Sequence, residues 1–114
     1  MENDLPLQYS FINKAKDALL KWAEGENFGI YQIEFVVPFL PSDKDLSVWL
    51  FYQSDDMVKR YADAGTTAIV EARFVDIMRD LGYPEDYLSQ ITFQIDSHEN
   101  VVANFEGSYF YRLR

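Results

Sequence analysis

The chain has no cysteine and a single histidine, which excludes disulfides, thiolate nucleophiles and thiolate metal sites. No apolar run approaches the ~18 residues that a membrane-spanning helix needs. The opening residues MENDLPLQYS carry two acids and no base, and no uninterrupted apolar core follows them. They cannot act as a secretory leader, so cytoplasmic residence is the expectation, and the missing cysteine permits it without requiring it. Basic residues are scarce as well. Ten Lys and Arg stand against nineteen Asp and Glu, a formal charge of −9. Such a surface repels nucleic-acid phosphates and anionic membranes, and neither is an expected direct partner. Between Arg79 and Arg112 there is no Lys or Arg, yet Asp80, Glu85, Asp86, Asp96, Glu99 and Glu106 fall there. Negative charge maintains solubility, and an unopposed stretch of it also attracts a basic partner and speeds the encounter.

What remains is a chain of 114 residues, 48% hydrophobic, which suits one folded domain over 1–114. Phe11, Ile12, Ala15, Leu19, Trp22 and Ala23 recur at three- and four-residue spacing and predict an amphipathic helix from about Gln8 to Glu24, capped by Ser10 or Asp4. The β-branched and aromatic stretch Ile30–Phe39 and the run Leu46–Tyr52, joined by a polar turn at 41–45, predict a hairpin. Val48 to Tyr52 are apolar without alternation, as in a central strand covered on both faces. Ser54-Asp55-Asp56 is a helix-start signal, and the helix runs to about Ala64. After Gly65, with Thr66 or Thr67 as cap, a further helix carries the stripe Val70, Phe74, Ile77, Met78 and Leu81. Gly82 and Pro84 end it, and Pro84-Glu85-Asp86 opens a short helical piece. Ile91, Phe93 and Ile95 alternate with Thr92, Gln94 and Asp96 in a strand. Ser97–Asn100 then reads as a turn, and Val101–Glu106 and Tyr109–Leu113 as further strands around a bulge at Gly107. The expected fold is α+β, an antiparallel sheet of four to five strands with two or three helices packed on one face.

Catalytic equipment is not evident. His98 lies in a polar turn with no cysteine to activate, and no histidine pair or thiol set has metal-ligand spacing. Neither Asp43-Lys44-Asp45 nor the 96–99 segment has calcium-loop spacing. Glu71, Asp76 and Asp80 alternate with the apolar stripe as a solvated face does, with Arg73 and Arg79 close enough to pair. The five glycines fall at element ends and form no phosphate loop. No catalytic residue, cofactor site or metal site is therefore expected.

Aromatic side chains are abundant, with eight Tyr, nine Phe and two Trp. Most belong to the core, but the run Ser108-Tyr109-Phe110-Tyr111 leaves some ring exposed whichever side packs, and such rings are favoured interface anchors. The hairpin IEFVVPFLPSDKDLSVWLFYQ, the helix ending in MRDLGYP and the terminal ITFQIDSHENVVANFEGSYFYRLR resemble small acidic immunity proteins of bacterial polymorphic and contact-dependent toxin systems. The resemblance covers roughly residues 30 to 114. It implies a protein that neutralises a cognate toxin, often a nuclease, by tight protein–protein contact, and it supplies no catalytic residue. The contact would draw on Asp55, Asp56, Glu85, Asp86, Asp96, Glu99 and Glu106, with Trp49, Tyr109 or Tyr111 as apolar anchors. Two other readings stay open: a subunit or adaptor domain that oligomerises with itself through its sheet edge or open face, and a small-molecule-binding or hydrolytic domain with a pocket between helices and sheet.

Overall fold

The architecture is set by its most apolar strand. Leu46–Tyr52 (β2) lies at the centre of the sheet, with Leu46, Val48, Leu50, Phe51 and Tyr52 all buried. The computed structural model describes residues 5–113; it pairs Gln32–Val36 (β1) antiparallel with β2 on one side and Ile91–Ser97 (β3) parallel with it on the other. Around this sheet stand helices α1 (Tyr9–Gly25), α2 (Asp55–Asp63), α3 (Thr66–Asp80), α4 (Glu85–Leu88), α5 (His98–Asn104) and α6 (Tyr109–Leu113). The chain is α+β, but the expected four to five antiparallel strands with two or three helices on one face are not found. The described residues form a three-stranded mixed sheet with six helices.

Two physical causes account for the difference. First, α2, α3 and α4 separate β2 from β3, which is a connection long enough to carry the chain back and start β3 in the direction of β2. Second, residues 101–104 and 109–113 are helical where strands were expected, and the turn expected at Ser97–Asn100 is instead the cap and first turn of α5. The Ser97 hydroxyl accepts from the Asn100 amide at 2.9 Å and the Ser108 hydroxyl from the Tyr111 amide at 3.1 Å, so each serine starts a helix. Between them Gly107, at φ 75°, forms no bulge. Its N–H returns to the Val101 carbonyl at 2.9 Å and closes α5. Local capping has overruled the β-propensity of the valines and tyrosines here.

Caps elsewhere follow expectation unevenly. Ser54 accepts from the Met57 amide at 3.2 Å and starts α2 as expected. Neither Thr66 nor Thr67 caps α3: Gly65, in the left-handed region at φ 80°, occupies the cap position, and the buried Thr67 hydroxyl hydrogen-bonds Tyr52 at 2.9 Å. Ser10 lies inside α1, whose cap position is Gln8; Asp4 is outside the described residues. Gln8 is fully buried, and its amide donates to the Asp43 and Asp45 carbonyls, tying the helix start to the β1–β2 connection.

The register sorts the sheet into two faces. On the first, the rows Phe35–Val48–Phe93 and Ile33–Leu50–Ile95 are covered by Ile12, Ala15 and Leu19 of α1 and by Val70, Phe74, Ile77 and Met78 of α3. The second face carries the rows Gln32–Phe51–Asp96, Glu34–Trp49–Gln94 and Val36–Ser47–Thr92. Helices therefore lie on both faces, since Tyr109 of α6 meets Phe51 edge-on at 4.7 Å between ring centres. Leu81 follows the last residue of α3 and is 38% exposed, so it is not part of the buried stripe.

Leu50→Ala, at a fully buried position of the central strand, should lower unfolding free energy by about 2–5 kcal/mol, whereas Leu81→Ala should cost less than about 1 kcal/mol. Urea titrations followed by circular dichroism read the difference directly.

Candidate interaction site at the strand C-termini

Because β2 and β3 run parallel, both end at one edge of the sheet and both turn there into a helix. The two helix starts are tied together. The Asp55 carboxylate accepts from the Ser97 hydroxyl, the Glu99 carboxylate accepts from the Asp55 amide at 2.9 Å, and the Glu99 amide donates to the Gln53 carbonyl at 3.1 Å. Glu99 and Asp55, expected as partner contacts, are thus taken up by the fold: Glu99 satisfies the first free amide of α2, Asp55 holds the serine that caps α5, and both carboxylates sit at positive helix ends. An outside anion finds those positions already occupied by the chain's own carboxylates.

Beside this edge the C-terminal segment folds over the second face. Arg112 pairs with Asp96, and its guanidinium lies 4.6 Å from the Trp49 ring centre and 5.1 Å from that of Phe105. Asn100 donates to both Asp96 oxygens, at 3.1 and 2.9 Å. The Asp96 side chain is only 13% exposed. Burial alone would raise its carboxyl, but the bonds from Arg112, Asn100 and the Ser97 backbone together outweigh it and hold the group below the usual carboxylate range.

His98 is not the solvent-exposed turn residue expected. It is half-buried and stacks on Tyr31 at 4.2 Å, and its Nδ1 shares a 2.7 Å hydrogen bond with the Tyr109 hydroxyl. Burial, with Tyr31, Glu34 and Asp96 close by, pushes the Tyr109 phenol up to about 12. Tyr109 therefore keeps its phenol proton at any physiological pH. Around this aromatic stack Tyr31, Phe110 and Tyr111 stay exposed, Phe110 by 71%.

The structure brings Trp49, Asp55, Asp96, Glu99 and Tyr109 to this end, with Glu106 and Tyr111 on the same C-terminal stretch. It does not bring the others. Glu85 and Asp86 open α4, where Arg79 pairs with Glu85 at 3.1 Å and Lys44 with Asp86 at 2.7 Å. Asp56 pairs with Arg60 along α2 at 2.7 Å. Of the acidic run after Arg79, Glu85, Asp86 and Asp96 are thus opposed, by Arg79, Lys44 and Arg112. Glu106 makes no ion pair or hydrogen bond among the described residues. Tyr31, Glu34, His98 and Arg112 were missed as site residues, because their importance lies in long-range contacts that carry no local pattern. The helix start at Ser97 did carry one, since Ser97-His98-Glu99 repeats the serine-then-acid signal of Ser54-Asp55-Asp56.

Elsewhere, a cavity of about 470 Å³ opens between the end of α1 and α2, lined by Leu20, Ala23, Phe28, Tyr61 and one carboxylate, Glu24. A lone carboxylate offers no acid–base pair. Among the described residues, no cluster of His, Asp or Glu could hold a metal ion, and no helix is long and apolar enough to cross a membrane. No protein-family model, curated protein or solved structure matches the chain.

Asp96 has a folded-state pKa below its unfolded value near ~3.9, so its stabilisation is present above that pH and is lost as pH falls through the lowered folded value. Asp96→Asn should consequently be less stable than the parent at pH 6 and flatten the stability–pH slope below about pH 4. Arg112→Met should show the pH 6 loss too, and equal slopes in parent and Asp96→Asn would refute the assignment.

Proposed function

We propose that the chain is a protein-binding domain that neutralises a basic macromolecular partner, in the manner of a bacterial immunity protein acting on a cognate toxin in the cytoplasm. The observation that carries this reading is the distribution of charge left after internal pairing. Among the described residues, Lys14, Lys16 and Lys21 of α1 and Arg73 of α3 make no ion pair, and neither do Asp17, Glu24, Glu71 and Asp80 of the same two helices, so unpaired charges of both signs stand over the first face of the sheet. On the second face and at the adjoining edge, Glu34, Asp55, Glu99 and Glu106 have no basic partner; the exposed ring of Tyr31 stacks there on His98, and Tyr111 is exposed on α6. Carboxylates steer a basic surface towards this end, and the aromatic rings supply the area that holds it there. A nuclease must present a basic cleft to phosphate, so it meets both requirements.

The test is calorimetry against the product of the adjacent gene. Micromolar or tighter binding is expected at low salt, weakened at least tenfold by 0.5 M NaCl, by Glu106→Lys and by Tyr111→Ala. Those two side chains are exposed, so their replacement should leave the circular dichroism spectrum unchanged. Absence of binding at low salt, or binding indifferent to both substitutions, would defeat the proposal.

A further inference from the structure

A three-stranded sheet has two edges, and they are unequally protected. β1 is five residues long, holds the Glu34 carboxylate and leads into Pro38, all devices that discourage pairing. β3 is seven residues long, and its stretch Ile91–Ile95 contains no charge, proline or lysine.

The ladder shows which of its backbone groups are unused. The Leu46 amide donates to the Gln90 carbonyl, and in a parallel ladder alternate residues point their N–H and C=O at the same neighbour. Gln90, Thr92 and Gln94 therefore face β2, while Ile91, Phe93 and Ile95 direct theirs outward. Among the described residues, no backbone group pairs with those outward positions. The same three side chains lie on the core face yet are only half-buried, whereas Ile33 and Leu50 in the same layer are at most 1% exposed. The edge thus lacks both hydrogen-bond partners and complete apolar cover.

We infer that the β3 edge is a homodimer seam, in which Ile91–Ile95 pairs antiparallel with the same segment of a second copy about a two-fold axis at Phe93. A second copy fits because the segment is self-complementary. The outward groups require Phe93 opposite Phe93 and Ile91 opposite Ile95, which are apolar pairs on the core face joined by backbone bonds. Thr92 then lies opposite Gln94 on the other face, a pair of polar side chains already exposed. No charged residue meets its own copy. Asp96, beyond the paired segment, is held by Arg112 and lies at opposite ends of the seam in the two protomers. So short a seam buries less than the ~1,600 Å² of a standard interface, and a reversible monomer–dimer equilibrium is the expected behaviour. The inference is independent of the partner proposed above, since the seam lies along β3 and that partner's contacts do not require it.

Sedimentation velocity of the full chain between 1 and 300 µM should give a monomer–dimer equilibrium. Amide exchange should slow with concentration at Phe93 and Ile95 and not in β1. Thr92→Lys combined with Gln94→Lys sets ammonium groups against one another across the seam at positions exposed in the single chain. This double variant should remain monomeric at 300 µM with an unchanged circular dichroism spectrum. A parent that stays monomeric throughout, including one that accepts a strand only from another protein, would overturn the inference. So would a dimer that survives both lysines or protects β1 instead.

Discussion

Most of the molecule depends on one constraint, the parallel alignment of β2 and β3. An antiparallel neighbour could have followed β2 through a short turn, but a parallel one obliges the chain to travel back outside the sheet. That return path is α2, α3 and α4, and α3 in passing supplies Val70, Phe74, Ile77 and Met78 to the core. The same alignment brings both strand ends to one edge. Two helix N-termini consequently open side by side, and each would repel the other's partial positive charge if left bare.

The acids at those two helix starts answer that repulsion. Glu99 accepts from the first amide of α2, and Asp55 accepts from the serine that caps α5, so each helix neutralises the start of the other. Caps of this kind contribute about 0.5–2 kcal/mol apiece, more than most exposed ion pairs. These carboxylates therefore support the fold first, whatever else they touch. Arg112 acts similarly on the second face. By joining Asp96, Trp49 and Phe105 it fastens a five-residue helix that has no buried residue of its own. Without that contact α6 has too few turns to persist alone.

This division explains what was readable beforehand. The α1 stripe, the limits of β2 and the Ser54 cap are local signals, and each is present in the fold where periodicity and capping chemistry place it. The direction of β3 is not local: nothing in Ile91–Ser97 records whether its neighbour runs with or against it. Residues 98–113 misled for a different reason. Valine and tyrosine favour strands, but short segments obey their caps, and Ser97 and Ser108 each bond the amide three residues on. At the candidate site, the acids and tyrosines could be named from composition, whereas the bases opposing them could not. Lys44 reaches Asp86 across 42 positions and Arg112 reaches Asp96 across 16.

Sequence proximity is thus a poor guide to the field around this protein. Asp86, Glu85, Asp56 and Asp96 belong to close pairs, and a pair of opposite charges has little field beyond the ~8–10 Å over which salt screens it. What a distant partner senses is the remainder: charges of both signs on α1 and α3 over one face of the sheet, and carboxylates without a base, Glu34, Asp55, Glu99 and Glu106, at the other face and its edge. A separation of that kind orients an approaching basic surface before contact. Orientation acts on the rate of encounter, while lifetime depends on buried apolar area. The exposed ring of Tyr31, stacked on His98 at the start of α5, lies on the side to which the field would turn such a partner, so steering and retention would act at the same place.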